Sequence, residues 1–136
     1  MKKLKTIRLT FILLTLLLIS GQSCVINSDY LQPTSPSEDI ITRNEIYTIR
    51  FFIKNPTQNT FIGKVEYQFD EKCLSTFPKS EEVTITPQES KKAMAKEFRT
   101  NSVNKECSQK PQRVTVVIRD RGGDIKDSFD ILLSIA

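Results

Sequence analysis

The sequence predicts an all-β domain over residues 39–136, a two-sheet sandwich of about seven antiparallel strands, preceded by an N-terminal signal helix and a flexible tether. Three observations carry this. Apolar and polar residues alternate with period two in several short runs, the mark of strands with one covered face. Turn residues separate these runs at intervals of roughly ten residues. The length suits one domain with that many strands, and no internal repeat is evident.

The chain opens with Lys2, Lys3, Lys5 and Arg8 and no acid, followed by the apolar run Leu9–Ile19 and then Ser20-Gly21-Gln22-Ser23-Cys24. A basic start, a short apolar run and a small-residue exit define a secretory signal peptide over residues 1–23. The run is short of the ~20 residues a membrane-spanning helix needs. The exit Ile19-Ser20-Gly21-Gln22-Ser23-Cys24 also resembles the cleavage box of bacterial lipoproteins. That resemblance implies that Cys24 becomes the lipid-modified first residue. Ordinary cleavage after Ser23, with small Gly21 and Ser23 at the two key positions, and an uncleaved anchor are the alternatives. All three place the remainder outside the cytoplasm, either anchored at the cell surface or periplasmic membrane, or secreted if Cys24 is not lipidated. Residues 24–38, with Pro33 and Pro36 and no periodicity, read as the tether.

Asp39–Thr42 suits a short first strand. In Glu45–Lys54, Tyr47, Ile49, Phe51 and Ile53 fall on one face, and Asn55-Pro56-Thr57 ends the strand because proline cannot continue a ladder. Thr60–Phe69 turns Phe61, Val65, Tyr67 and Phe69 inward, and Gly63 suits a bulge or a close backbone approach. Asp70–Ser80 reads as a loop carrying Cys73, with Leu74 and Phe77 tucked in. Glu82–Thr86 is a strand with Val83 and Ile85 inward. Lys91–Arg99 has the composition of two helical turns, yet it alternates and lies between strands, so it reads as strand. Thr100–Gln112 is a polar loop holding Cys107. Arg113–Arg119 and Ser128–Ile135 form a hairpin across Asp120–Asp124, where Gly122-Gly123 supplies positive φ at little cost.

Charge excludes one function class. The formal net charge is +4, but four of the 20 basic residues lie in the leader and none of the 16 acids does. Beyond the leader the chain is neutral, without the basic footprint that nucleic-acid binding requires. Three cysteines in an exported chain leave one over. If Cys24 is lipidated, Cys73 and Cys107 form an even pair in polar, turn-like sequence, where an oxidising compartment permits a disulfide.

No catalytic residues are assigned. The chain has no histidine, the commonest base for a serine or cysteine nucleophile. The carboxylate pairs Asp70/Glu71, Glu81/Glu82 and Asp127/Asp130 sit where turns and solvent-facing strand positions place charge in any case. Asp120, Asp124 and Asp127 could offer oxygen to calcium, but no recognised calcium-loop spacing is present, and turn chemistry explains them. With no close cysteine pair and no histidine, no metal site and no cofactor are expected.

A strand ending Asn55-Pro56-Thr57 precedes an aromatic strand and then Val83-Thr84-Ile85-Thr86-Pro87-Gln88-Glu89-Ser90. The last of these leads into an outward strand ending Phe98-Arg99-Thr100. Over residues 39–136 this pattern resembles prokaryotic immunoglobulin-like domains, most nearly the adhesion-related modules abbreviated CARDB. The resemblance implies an immunoglobulin-like β-sandwich and a surface setting, and brings no catalytic residues. The expected function is a non-enzymatic envelope module, held to the membrane by its N-terminal lipid or anchor, that binds a protein partner. The alternative is a small periplasmic inhibitor or assembly accessory with a single exported partner.

Overall fold

The apolar faces read from alternation are the faces that meet. The computed structural model describes residues 30–87, 91–101 and 105–136. The signal segment 1–23, Cys24 and the start of the tether lie outside the described residues, as does the Gln88-Glu89-Ser90 turn. The described strands are β1 (Leu31–Pro33), β2 (Glu38–Ile41), β3 (Ile46–Ile53), β4 (Phe61–Gln68), β5 (Leu74–Ser75), β6 (Ser80–Ile85), β7 (Lys92–Thr100), β8 (Gln112–Asp120) and β9 (Ile125–Ile135). One short helix, α1 (Lys105–Gln109), precedes β8.

The strands form two sheets, one ordered β1-β3-β7-β5 and the other β2-β9-β8-β4-β6. In immunoglobulin terms β1-β3-β7 take the places of A, B and E, and β4-β8-β9 those of C, F and G. The fold is an immunoglobulin-like β-sandwich. Ile49, Phe51 and Ile53 of β3 face Val65 and Tyr67 of β4, Val114, Val116 and Ile118 of β8, and Ile131 and Leu133 of β9 in one buried cluster. Aromatic edges fill its centre: the Phe51 ring lies 5.5 Å from Phe129, Tyr67 6.0 Å from Phe98, and Phe98 5.4 Å from Phe69, all T-shaped.

Several expectations are corrected. The expected tether over residues 24–38 contains strand at its end: Leu31–Pro33 pair with β3 and Glu38 opens β2. Leu31 is only 1% exposed. The described strands number nine rather than about seven, and they are not all antiparallel: β2 runs parallel to β9, Glu38 opposite Leu132. Short strands with few apolar residues leave little periodicity to read. Their place comes from backbone pairing with residues far away in the chain. Phe77, expected to tuck in, is 93% exposed, whereas Leu74 is buried as expected. The polar loop 100–112 contains α1, and β9 begins at Ile125 rather than Ser128. Lys91–Arg99 is strand, as its alternation required: β7 covers Lys92–Thr100.

The hairpin turn is built as its residues suggest. Gly123 takes φ +88°, and the Asp120 carboxylate accepts the Asp124 N–H at 2.9 Å. That bond, helped by the Lys126 ammonium at 3.5 Å, holds the Asp120 carboxyl below its ordinary range. Ile118 faces Asp127 but Arg119 faces Ile125, so Lys126 is the extra residue of a bulge in β9.

Candidate functional site

The cysteine pair is joined. Cys73 and Cys107 form a disulfide with their Cα atoms 5.4 Å apart, and both are buried. The bridge ties α1 to the loop between β4 and β5. Around it, the Asn101 side-chain amide donates to the Glu71 carbonyl at 2.6 Å, and the Gln112 amide donates to the Cys107 carbonyl at 3.0 Å. Gln112 is 5% exposed, and this bond satisfies a side chain that burial would otherwise penalise. Cys24 lies outside the described residues.

The carboxylates singled out in the sequence are scattered, and several of them hold structure. Asp70 accepts the Lys72 N–H at 2.9 Å within its loop, and Glu71 pairs with Lys79. Asp130 accepts from the Thr115 hydroxyl at 2.7 Å across the β8–β9 ladder. Asp127 is more than a solvated charge: its Oδ2 accepts the N–H groups of Tyr30 and Leu31 at 3.2 and 2.8 Å. It thereby clamps β1, in one sheet, to β9 in the other. A second tie lies between the sheets where the Tyr47 hydroxyl donates to Asp39 Oδ2 at 2.7 Å. Burial, then that bond, pushes the Tyr47 hydroxyl well above its ordinary range, and the same bond holds the Asp39 carboxyl down. Among the described residues no group of three Cys, Asp or Glu side chains is placed to hold a metal ion.

The opposite open side of the sandwich carries a tie that the sequence reading missed. Lys96 of β7 is 4% exposed. Its ammonium lies 3.6 Å from Glu81 Oε1 on β6 and 5.0 Å from the centroid of the Tyr67 ring on β4. The Tyr67 hydroxyl completes the cluster by donating to Glu81 Oε2 at 3.0 Å, and burial, then the Glu81 charge, raises the Tyr67 hydroxyl far above its ordinary range. A buried ammonium is tolerable when a carboxylate and an aromatic face both receive it. The signal was in the sequence: Lys96 lies in phase with Met94 and Phe98, on the inward face.

Stranding the buried ammonium should therefore cost more than removing it, because Glu81 keeps solvent and the Tyr67 hydroxyl. Glu81→Gln leaves the Lys96 ammonium without its carboxylate and is expected to destabilise by about 2–3 kcal/mol. Lys96→Met places an apolar stem in the same space and is expected to stay within about 1 kcal/mol of the parent. Urea unfolding of both variants checks the order. Equal losses would mean that Glu81 depends on the ammonium as much as the ammonium depends on Glu81.

β6 and β7, which this cluster joins, each border open space. β7 pairs with β3 along its length, from Ile46 opposite Arg99 to Ile53 opposite Lys92. On its other side β5 reaches it only through Leu74 opposite Thr100 and Ser75 opposite Arg99. A shallow cavity of about 300 Å³, lined by Ser75, Thr76, Phe77, Glu97 and Arg99, lies at the end of that edge. It contains no arrangement of nucleophile and base. What the region offers chemically is unpaired backbone, exposed cations and one exposed aromatic ring.

Fold and site together define an immunoglobulin-like sandwich with structural polar ties and an accessible edge strand. Among solved structures, the chain is similar to one in the complex formed between zinc 2-glycoprotein and prolactin-inducible protein from human seminal plasma. The TM-score is 0.55 at 10% identity, over 83% of this chain and 99% of that one. It is also similar to the SrpA adhesin from Streptococcus sanguinis, with a TM-score of 0.52 at 11% identity, over 82% of this chain and 59% of that one. Identities this low show shared architecture alone. No family model and no curated protein matches the sequence.

Proposed function

We propose that this chain is an exported, membrane-tethered binding module without catalytic activity, whose sandwich presents an edge strand to a protein partner. The observation that carries the reading is the buried Cys73–Cys107 disulfide in an immunoglobulin-like domain, and the sequence ahead of that domain reads as a secretory leader. Such a bridge persists in oxidising compartments. Asp39, Asp127, Glu81 and the buried Lys96 are engaged in tying the two sheets together, which favours binding over catalysis. The use of the same architecture by an adhesin and by a protein found in a complex is consistent with this. Tethering rests on Cys24: its lipidation would hold the domain at a membrane surface through the residues between Cys24 and β1.

The test is labelling with a fatty-acid analogue followed by membrane fractionation. The parent protein should incorporate label and sediment with membranes, whereas Cys24→Ala should lose the label. Unlabelled parent protein that is soluble to the same extent as Cys24→Ala would remove the lipid tether. Recovery of the parent in the cytosol with both cysteines reduced would remove export itself.

A further inference from the structure

We propose that the open edge of β7, around Ala93 and Ala95, accepts one more antiparallel strand from a partner whose extended segment is acidic. This rests on the binding-module reading and gives the partner a chemistry.

The direction of the backbone groups comes from the ladder. Asn101 donates its N–H to the Cys73 carbonyl at 2.9 Å, on the β5 side. Along a strand alternate residues aim their N–H and C=O to the same side, so residues 99, 97, 95 and 93 follow Asn101 towards that edge. β5 takes up Arg99, and the Thr76 hydroxyl donates to the Glu97 carbonyl at 2.6 Å. Ala95 and Ala93 come next, where no described strand lies alongside. Both are exposed, and their methyl groups leave the edge bare. No proline or bulge interrupts β7 there, the devices by which edges are often blunted.

Charge selects the occupant. On the outer face, Ala95 is flanked on β3 by Arg50 and Ala93 by Phe52, with Arg99 further along β7. The Lys91 ammonium lies 5.2 Å from the centroid of the Phe52 ring. Among the described residues neither Arg50, Arg99 nor Lys91 enters an ion pair. Glu97 is the acid on this face of β7. Strands lie about 4.8 Å apart, so an arginine on β3 can reach over an alanine to the added strand. A strand with carboxylates on its outward positions would meet these cations. Phe77, standing free by the same edge, would cover an apolar residue at one end of it.

Two other occupants fit less well. Once the leader is removed, the segment ahead of β1 is residues 24–29, which carry a single acid, Asp29, and run into β1, across β3 from this edge. A second copy pairing through β7 would bring the same lysines and arginines against these. Strand addition at a free edge takes affinity from main-chain hydrogen bonds and specificity from alternate side chains, and here the side chains ask for acids.

The test uses the full disulfide-bonded chain, isotope-labelled and purified from the envelope, titrated with a synthetic peptide alternating glutamate with valine and threonine. The amide signals of Ala93 and Ala95 should shift most. A peptide N-methylated on alternate residues along one edge cannot form the ladder and should lose binding. Arg50→Glu combined with Arg99→Glu should weaken binding by about tenfold or more, and added salt should weaken the parent complex. Ala95→Pro should abolish it while leaving the β3 pairing of β7 intact. Equal binding by the N-methylated peptide, or by a lysine-for-glutamate peptide, would overturn the proposal. Unmoved Ala93 and Ala95 signals at millimolar peptide would also overturn it. A dimer of the chain alone that Ala95→Pro dissolves would give the edge to a second copy and overturn it too. None of these results touches lipid labelling or membrane fractionation, so this inference and the export and tethering of the module fail separately.

Discussion

Replacing Cys73 and Cys107 together by alanine is expected to lower stability by about 3–4 kcal/mol, the chain-entropy value for closing a loop of this length. The sequence separation is 34 residues, and the loop includes β5, β6 and β7. Unlinked, that stretch gains freedom in the unfolded chain. Both cysteines are also buried, so the substitution removes packed sulfur. The α1 segment should suffer first. Its five residues are too few to be stable alone, and besides the bridge it is held by the Gln112 amide on the Cys107 carbonyl. Denaturant unfolding of oxidised and reduced parent protein, beside the double variant, measures the effect. Reduced parent and double variant should unfold at nearly the same midpoint, well below the oxidised protein. A shift smaller than about 1 kcal/mol would show that the unfolded chain is already restrained without the bridge.

Gly63→Ala is expected to be about as damaging, at roughly 3 kcal/mol, although it adds one methyl group. Gly63 lies in β4, opposite Val83 of β6 on one side and Asp120 of β8 on the other. A Cβ built there would fall 2.2 Å from the Arg119 carbonyl oxygen and 2.7 Å from the Phe61 ring. The ring can turn; a backbone carbonyl in the middle of a sheet cannot move without loosening its ladder. The contact lies beside the β9 bulge opposite Arg119. Thermal unfolding compared with Ile62→Ala, a partly exposed neighbour, isolates the effect. The alanine variant should melt lower by clearly more than the neighbour does. Equal melting temperatures would mean that β4 and β8 separate there without penalty.

Gly63 also shows how far sequence reading reached. A glycine inside an alternating strand announced a bulge or a close approach; β4 pairs through Gly63 without a bulge, and the close approach is what it has. Only the position of Arg119, 56 residues away, shows that the close approach is what requires glycine there. Lys96 is a parallel case. Alternation put it on the inward face, but a lysine is assigned to water unless a partner is known. Its partners Glu81 and Tyr67 come from the other sheet.

What the sequence by itself determined was the class of fold, the inward faces of β3, β4, β8 and β9, the hairpin around Gly123 and the pairing of the last two cysteines. Period-two burial and turn chemistry are local, so they are written in neighbouring residues. The parallel seat of β2, the strand hidden in the tether, the exposure of Phe77 and the bare edge of β7 were decided only by tertiary structure. Each depends on which backbone groups find partners across the sandwich, and hydrogen bonds between residues a hundred positions apart leave no local pattern to read.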